Sequence, residues 1–492
     1  MTKHFLSLIL FIVSFSSAFS QNKNGEVHMP ETFEHTHIVI REVVVTGNKL
    51  TKENIVTREL DFRLGDSLAV FEQGKELRTS LRRFVVSDSS EVRLRLNYSR
   101  DNIINTKIFM TVDLYLEQVQ GKEYKITIDV TERHYWWVFP VMKLNAPNFN
   151  EWLRDVDLSQ LSMGLFASHN NLFGSSHQAS IAGYAGKSKA LALGYRIPWV
   201  GKGQKKSLTI AGGYNDLAVV EYASVENKRQ IIYDNSSSKS TFLMAKMDFR
   251  PGLYSYNTVK LSWQHTAISD SLFTLNPNFL ANNKTSNSSF TLFLDYYYDS
   301  RNNKSYPLEG NLLRVFLDKQ GLGIGQREVD LFYYGIDFHF YQKISEKFYV
   351  AEMIKAVNST GENAPYSYQQ SLNHKKDFIR GFDLYTVKGD QMYYFRSNLK
   401  YELVKPNVKK VKPGEEDSKF KSIQYAFYLN LLADAGYVVN NFTENNPLNN
   451  KGLFSWGLGL DFVTYYDLVL RFEYTFNSVG TRGFFIGFGA PI

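Results

Sequence analysis

The sequence predicts a mainly β chain: one small α+β domain followed by a 16-stranded antiparallel transmembrane β-barrel. Three observations predict it. Aromatic residues make up 15% of the chain, with 31 Tyr and 37 Phe against 12 Pro, yet the mean hydropathy is negative. Outer-membrane barrels combine these properties because only every second residue faces lipid and aromatic girdles mark both interfaces. No stretch of about eighteen apolar residues exists, which excludes a spanning helix. From residue 134 onward, roughly sixteen stretches alternate apolar and polar residues, each long enough to cross a bilayer as a tilted strand.

At the N-terminus, Lys3 and His4 precede the apolar run Phe5 to Val13, and Ala18 and Ser20 fit the small-residue positions before a cleavage point at Gln21. Residues 1–20 therefore read as a signal peptide of an exported protein. With 0 Cys, a disulfide, a thiolate metal site and a catalytic cysteine are excluded. Residues 21–37 are polar and read as flexible. The small domain spans 38–133. It opens with a β-branched strand at about 38–46, a Gly-Asn turn and a helix capped by Thr51 with Glu53 near its start. A second helical stretch begins near Phe71 and continues past Arg82 and Arg83. Two strands follow, "TKIFMTVDLYLEQ" and "YKITIDVTER", joined through Gln120, Gly121 and Lys122.

Residues 134–492 carry the barrel pattern. Leu468, Leu470, Phe472, Tyr474 and Phe476 share one face, and Val469, Arg471, Glu473 and Thr475 the other. Phe454, Trp456, Leu458, Leu460 and Phe462 oppose Ser455, Gly457, Gly459 and Asp461, and Tyr334, Ile336, Phe338 and Phe340 oppose Gly335, Asp337 and His339. Loops 216–239, 270–287, 361–390 and 440–451 are expected on one side of the membrane. Shorter turns are expected on the other, with 406–421 as a long, mixed-charge exception.

Several short motifs then fall in one order. "IRGF" stands in the sixth long loop, and Val45, Thr46, Gly47, Asn48, Lys49, Leu50 and Thr51 form a strand-Gly-Asn-Lys-x-Thr opening. Asn171, Leu172, Phe173 and Gly174 follow the second barrel strand. Asp299, Arg301, Pro307 and Gly310 lead into the ninth, and Asp434 and Gly436 lie in "LLADAGYV". Together these resemble the Omp-eighty-five superfamily of BamA- and TamA-like assembly and translocation factors, and the resemblance covers almost all of the mature chain. It implies that residues 38–133 are a single POTRA (polypeptide-transport-associated) domain. It also implies that Asp434 pairs with the loop arginine. The sequence departs from the family pattern in having room for one POTRA domain only, in an apparent insertion at Ser80 to Arg100, and in ending on "GFGAPI" instead of an aromatic residue.

Two candidate sites follow. In the first, Tyr425, Phe427, Leu429 and Leu431 share the lipid-facing parity, which sends Asn430 and Asp434 into the lumen. An acidic side chain there needs a partner. If loop 361–390 folds back, then within the motif Ile379, Arg380, Gly381 and Phe382 the arginine supplies a bidentate guanidinium, Gly381 permits the bend and Phe382 wedges against the wall. The second is the seam between the first and last strands. The first contains Pro140; the last contains Gly483, Gly487, Phe488, Gly489 and Pro491. Proline removes a ladder donor and glycine weakens a strand, so these residues either thin the closure or merely shape a barrel corner. An openable edge would accept a client strand by β-augmentation.

The resemblance implies outer-membrane protein assembly, insertion or polypeptide translocation, with the N-terminal domain in the periplasm. A dedicated two-partner-type secretion transporter and a passive pore are the alternatives. Expected partners are the outer-membrane bilayer, unfolded outer-membrane or secreted polypeptides, and accessory lipoproteins or periplasmic chaperones. No phosphate-cradling loop, zinc spacing or nucleophile elbow occurs, so no enzyme activity, cofactor or metal is expected. A lipase would need a Ser/His pair that the sequence does not offer, and His339 reads as a lumenal residue. The net charge of +7 is spread along the chain without a stripe of basic and stacking residues, which argues against nucleic acid.

Overall fold

The computed structural model describes residues 25–30, 32–70, 91–144, 161–200, 205–252, 254–324, 329–360, 364–372, 377–410, 422–440, 446–464 and 469–489. The expected signal peptide, the start of the second helical stretch at Phe71 and Pro491 lie outside the described residues. The chain divides into two compact units, one of residues Ser20–Trp136 with His169–His177, the other of the remainder.

In the smaller unit, five strands form one sheet: β1 (Val27–His28), β2 (His37–Thr46), β3 (Ser67–Ala69), β4 (Phe109–Gln120) and β5 (Glu123–Glu132), in the order β1-β4-β5-β2-β3. The β-branched run of β2 buries Ile38 and Ile40 completely, and β4 and β5 bury Val112, Leu114, Ile126 and Ile128 on the same core. Two helices are described, α1 (Asn54–Thr57) and α2 (Glu91–Asn105). Helix α2 buries Val92, Leu96, Ser99, Ile103 and Ile104, a spacing of three and four that makes one face.

Three expectations are corrected here. Residues 91–100 belong to this core helix and are not an insertion. The segment 21–37 is not flexible throughout, because Val27 and His28 pair with β4. Thr51 does not cap the first helix, whose N-cap residue is Glu53 without a side-chain bond. The Thr51 hydroxyl is instead engaged by Tyr135 and by Asn171, both at 2.9 Å.

The larger unit is a single 16-stranded antiparallel sheet in strict chain order. Its strands are β6 (Trp136–Leu144), β7 (Leu161–Leu172), β8 (His177–Gly186), β9 (Lys189–Val200), β10 (Lys206–Val225), β11 (Lys228–Phe249), β12 (Ser255–Ile268), β13 (Ser286–Asp299), β14 (Gly310–Gln320), β15 (Leu331–Lys343) and β16 (Phe348–Thr360). After a small hairpin, β17 (Gln370–Leu372) and β18 (Val387–Gly389), come β19 (Gln391–Lys410), β20 (Ser422–Val439), β21 (Leu453–Thr464), β22 (Val469–Asn477) and β23 (Arg482–Phe488).

Alternation assigns the faces. Leu429, Leu431, Phe454, Trp456 and Leu458 are exposed outside, whereas Asn430, Asp434, Ser455 and Asp461 are buried inside. The sheet curls on itself: Tyr306, between β13 and β14, donates to Asp461 on β21 at 2.7 Å.

Long connections gather at one end of this sheet. Loop 216–239 is not a loop: β10 and β11 continue through it to a turn at Glu226 and Asn227, with a register shift between Leu217 and Val219. The stretch 270–287 holds a short helix, α3 (Asp270–Leu275), before β13 begins. At the other end, β19 extends to Lys410, so the connection expected from 406 starts later. The Asn227 turn is tied across the loop end. Its carbonyl accepts from Thr386 at 2.7 Å, its amide donates to Asn446 Oδ1 at 2.7 Å, and its side-chain oxygen accepts from Leu448 at 2.8 Å.

Candidate functional site: the loop seated in the barrel lumen

The described stretch 377–390 of the sixth loop reaches into the barrel. Arg380 is 2% exposed and Asp434 5%, a degree of burial that an arginine tolerates only when its donors are met. Its backbone N–H and its Nε both donate to Asp434 Oδ2 at 2.9 Å. Nη2 pairs with Asp434 Oδ1 and reaches the Ser397 carbonyl at 3.1 Å, and Nη1 donates to Asn398 Oδ1. The carboxylate thus takes the guanidinium in two-pronged fashion. The register explains why the partners converge, since Arg396 on β19 stands opposite Asp434 on β20, placing Ser397 and Asn398 alongside.

The residues flanking Arg380 each have a steric reason. Gly381 sits at φ +82°, and a Cβ there would lie 3.0 Å from Thr475 Oγ1; its carbonyl accepts from Asn477 Nδ2 at 2.6 Å. Gly436 is required by Ile379: a Cβ on Gly436 would fall 2.0 Å from Ile379 Cδ1. Ile379 and Phe382 are both fully buried, packed in one apolar cluster with Leu372, Val387, Val438 and Leu453. Phe382 also meets Tyr385 edge-on with centroids 6.0 Å apart. All six loop and wall residues singled out in the sequence, Ile379, Arg380, Gly381, Phe382, Asp434 and Gly436, therefore meet at one place.

Around them lies a polar lining that sequence reasoning did not single out. The Arg396 guanidinium lies over the Phe378 ring at 4.2 Å from its centroid, and that of Arg471 lies 5.7 Å from the same centroid. Arg471 donates to Glu473 at 3.1 Å. Lys400 is completely buried, with Nζ 4.4 Å from the Tyr306 ring centroid. Lys355 pairs with Asp377 at the start of the loop tip. Alternation along β19 and β22 carried the signal for Lys400 and Arg471. Nothing local marks Tyr306, which reaches the lumen from a turn. His339 faces inward as expected and shares hydrogen bonds with Asp337 at 2.8 Å and Tyr341 at 3.0 Å.

The seam residues are dispersed along two strands that stand at the two ends of the sheet order, β6 and β23. Pro140 is exposed on the same parity as Trp136, Val138 and Met142. Gly487 leaves room for Arg471, whose Nη2 would lie 2.5 Å from a Cβ. Gly483 pairs with Thr475 and Phe488 with Leu470, and Gly489 donates to the Val469 carbonyl at 2.9 Å. Within the smaller unit, the turn Asn171 to Gly174 crosses the Gly-Asn-Lys turn, with Lys52 donating to the Gly174 carbonyl at 2.9 Å.

Comparison with known proteins gives the following. Residues 171–398 match the Omp85 superfamily domain. No curated protein sequence matches the chain. Among solved structures, the chain resembles CdiB from Escherichia coli at 11% identity and a TM-score of 0.52, over 97% of this chain and 94% of that one. It also resembles BamA from Haemophilus ducreyi lacking POTRA domains 1-3, at 14% identity and a TM-score of 0.50, over 92% and 83% of the two chains. CdiB from Acinetobacter baumannii gives 12% identity and a TM-score of 0.50, over 92% and 74%. At such identities the likeness is one of fold.

Proposed function

The chain carries an Omp85 superfamily domain at residues 171–398, and from this we propose that it is an outer-membrane protein assembly, insertion or translocation factor. The small unit, residues 38–133 in the sequence reading, is a POTRA-like domain on the periplasmic side that receives unfolded polypeptide. The barrel, residues 134–492, presents the seam between β6 and β23 as the place where a client strand pairs. The carrying observation is the loop fixed inside the lumen by Arg380 and Asp434. A passive pore gains nothing from filling its lumen with a long loop, whereas a machine that must hold one wall rigid while another edge yields has a use for it. Neither nucleotide nor metal enters this reading. Accessory lipoproteins or periplasmic chaperones would deliver clients to the small unit.

The test is a photo-crosslinking residue at Phe488, whose strand position faces Leu470 on one side and the seam on the other. Irradiation in cells is expected to give adducts with outer-membrane barrel precursors. Capture of one secreted polypeptide would make the protein a dedicated two-partner-type transporter. Capture of the protein's own β6 alone would overturn both and leave a passive pore.

A further inference from the structure

Two turns of the smaller unit are locked against each other. The Asn171 amide group donates to the Thr51 hydroxyl at 2.9 Å, and that hydroxyl also meets the Tyr135 hydroxyl at 2.9 Å; Thr51 and Asn171 are both buried. Lys52 N donates to the Gly174 carbonyl at 2.9 Å. Gly174 sits at φ +63°, and a Cβ there would fall 1.9 Å from the Leu50 carbonyl oxygen. The Asn171 side-chain oxygen accepts from the Ser176 amide at 2.8 Å. This knot fixes which side chains the two turns display outward.

What they display is apolar. Leu50 is 67% exposed and Phe173 75%. Trp136, in the same unit, is 68% exposed and meets the His169 ring edge-on with centroids 4.9 Å apart. Phe173 also sits at φ +60°, a left-handed conformation that glycine and asparagine adopt readily and a bulky residue does not. A ring held in that conformation and turned outward does not serve the unit's own core.

Its place along the chain says what meets it. Phe173 follows the last residue of β7, and Trp136 opens β6. Farther along these strands Val138 and Met142, and Met163 and Leu165, are exposed apolar residues of one parity per strand, as on the lipid-facing side of a spanning sheet. The ends of such a surface lie at the headgroup layer, where aromatic rings gather. Lys49 and Lys52 are exposed on either side of Leu50, with Glu53 exposed beside them. The net charge of this segment is therefore small, and the lysines fit an interface by laying their stems on apolar surface and their amines among phosphates.

We infer that Leu50 and Phe173, together with Trp136, form a membrane-surface anchor that sits in the phospholipid headgroup layer. Aromatic girdles belong to spanning strands, whereas Leu50 and its lysines come from the opening turn of the small domain. The contact therefore ties that unit itself to the leaflet. It is made mainly by apolar burial and should change little with salt.

The experiment uses the full-length protein in nanodiscs of phosphatidylethanolamine and phosphatidylglycerol doped with headgroup-nitroxide phosphatidylcholine. The chain has 0 Cys, so Leu50→Cys carries a single bimane label; Val119→Cys, at a residue 56% exposed on β4, is the comparison. The nitroxide lipid is expected to quench bimane at residue 50 and spare residue 119, and aqueous iodide to do the reverse. Adding Phe173→Gly to Leu50→Cys should lower the anchored-to-free ratio by about tenfold, the worth of one buried aromatic side chain, and so weaken lipid quenching. Glycine adopts the φ of Phe173 without strain, so melting should not fall. Iodide quenching at residue 50 as strong as at residue 119 overturns the inference. So does a label at residue 50 shielded from both quenchers, which would mean that protein, a second copy or another chain, covers the patch. Lipid quenching unchanged by Phe173→Gly overturns it as well.

Discussion

The wall that holds the loop and the two end strands of the sheet differ in length and in what ties them to the rest of the molecule. Strands β19 and β20 run for 20 and 18 residues and pair from Gln391 and Val439 to Lys410 and Ser422, with register shifts between Glu402 and Asn407 close to Pro406. A buried ion pair joins that wall to the loop tip. Strands β6 and β23 have 9 and 7 residues, the one containing Pro140 and the other Gly483 and Gly487. Ladder bonds scale with length; proline removes a donor from the ladder, and glycine weakens a strand through its backbone entropy and its lack of a side chain to pack. The long wall is thus tied to the loop by a buried ion pair, whereas β6 and β23, at the two ends of the sheet order, are among its shortest strands.

The largest test of this contrast is removal of one lock partner. Arg380→Ala leaves Asp434 buried without its cation and should cost about 3 to 5 kcal/mol. Thermal loss of the compact, heat-modifiable form on gels measures it. The double variant with Asp434→Ala should lose less than the single one, since no stranded charge remains. If Arg380→Ala melts like the parent, the lock is not what makes this wall rigid.

Next in size is the steric half of the same lock. Gly436→Val pushes a side chain into the space of Ile379 Cδ1, which lies 2.0 Å from the position of a Cβ, and overpacking of this kind costs about 1 to 3 kcal/mol. Adding Ile379→Ala should return part of it, as residues in contact couple in a double-mutant cycle. Additive losses would mean that the two do not compete for one space.

Much of this was legible in the sequence, because a period of two is local. Alternation gave the strands, their faces and the inward direction of Asp434. What it could not give was any contact made by chain reversal. Tyr306 reaches Asp461 across 155 residues, and no pattern near either residue says so. The hairpin at 216–239 was read as a loop because polar residues such as Asp216, Glu221 and Asp234 look like solvated connection. In the structure they belong to the long strands β10 and β11, which carry on to the turn at Glu226 and Asn227. Thr51 was assigned a cap because Thr before a helix usually serves as one; here Tyr135 and Asn171 compete for its hydroxyl and win. The β1 arm escaped notice since a two-residue strand has no period to read.

A third, smaller effect concerns the loop end. Asn227 bonds to residues 386, 446 and 448 through its backbone and side chain. Asn227→Ala strands the Leu448 amide, removes the bond to Asn449 Oδ1 and leaves alanine at φ +55°, a local loss of about 1 to 3 kcal/mol. Hydrogen exchange should quicken at residues 446–450 while the melting of the barrel stays put. A matching fall in barrel melting would show that the loop end and the wall act as one cooperative block, and the contrast drawn above would have to be widened to include it.

The smallest effect asks whether carboxylate-held turns are special to the lumen. In the smaller unit, Glu132 accepts from the amides of Leu50 at 3.0 Å and Thr51 at 2.6 Å, as Asp434 accepts from Arg380, but with solvent nearby. Partial burial by itself would raise the Glu132 carboxyl, yet the bonds from Thr51 and Leu50 outweigh it and hold the group below its ordinary value. A depressed carboxyl contributes stability that is complete above its unfolded value, about 4.3, and is lost as the pH falls through the folded value. The amides of Leu50 and Thr51, followed by exchange corrected for intrinsic rate, should therefore stay protected at pH 6 and lose protection below about pH 4. Glu132→Gln should show weakened protection at pH 6 already and little further change on acidification. A parent protein whose protection at these two amides is flat from pH 6 to pH 3 would mean that the turn is held by its backbone geometry, with Glu132 merely resting against it.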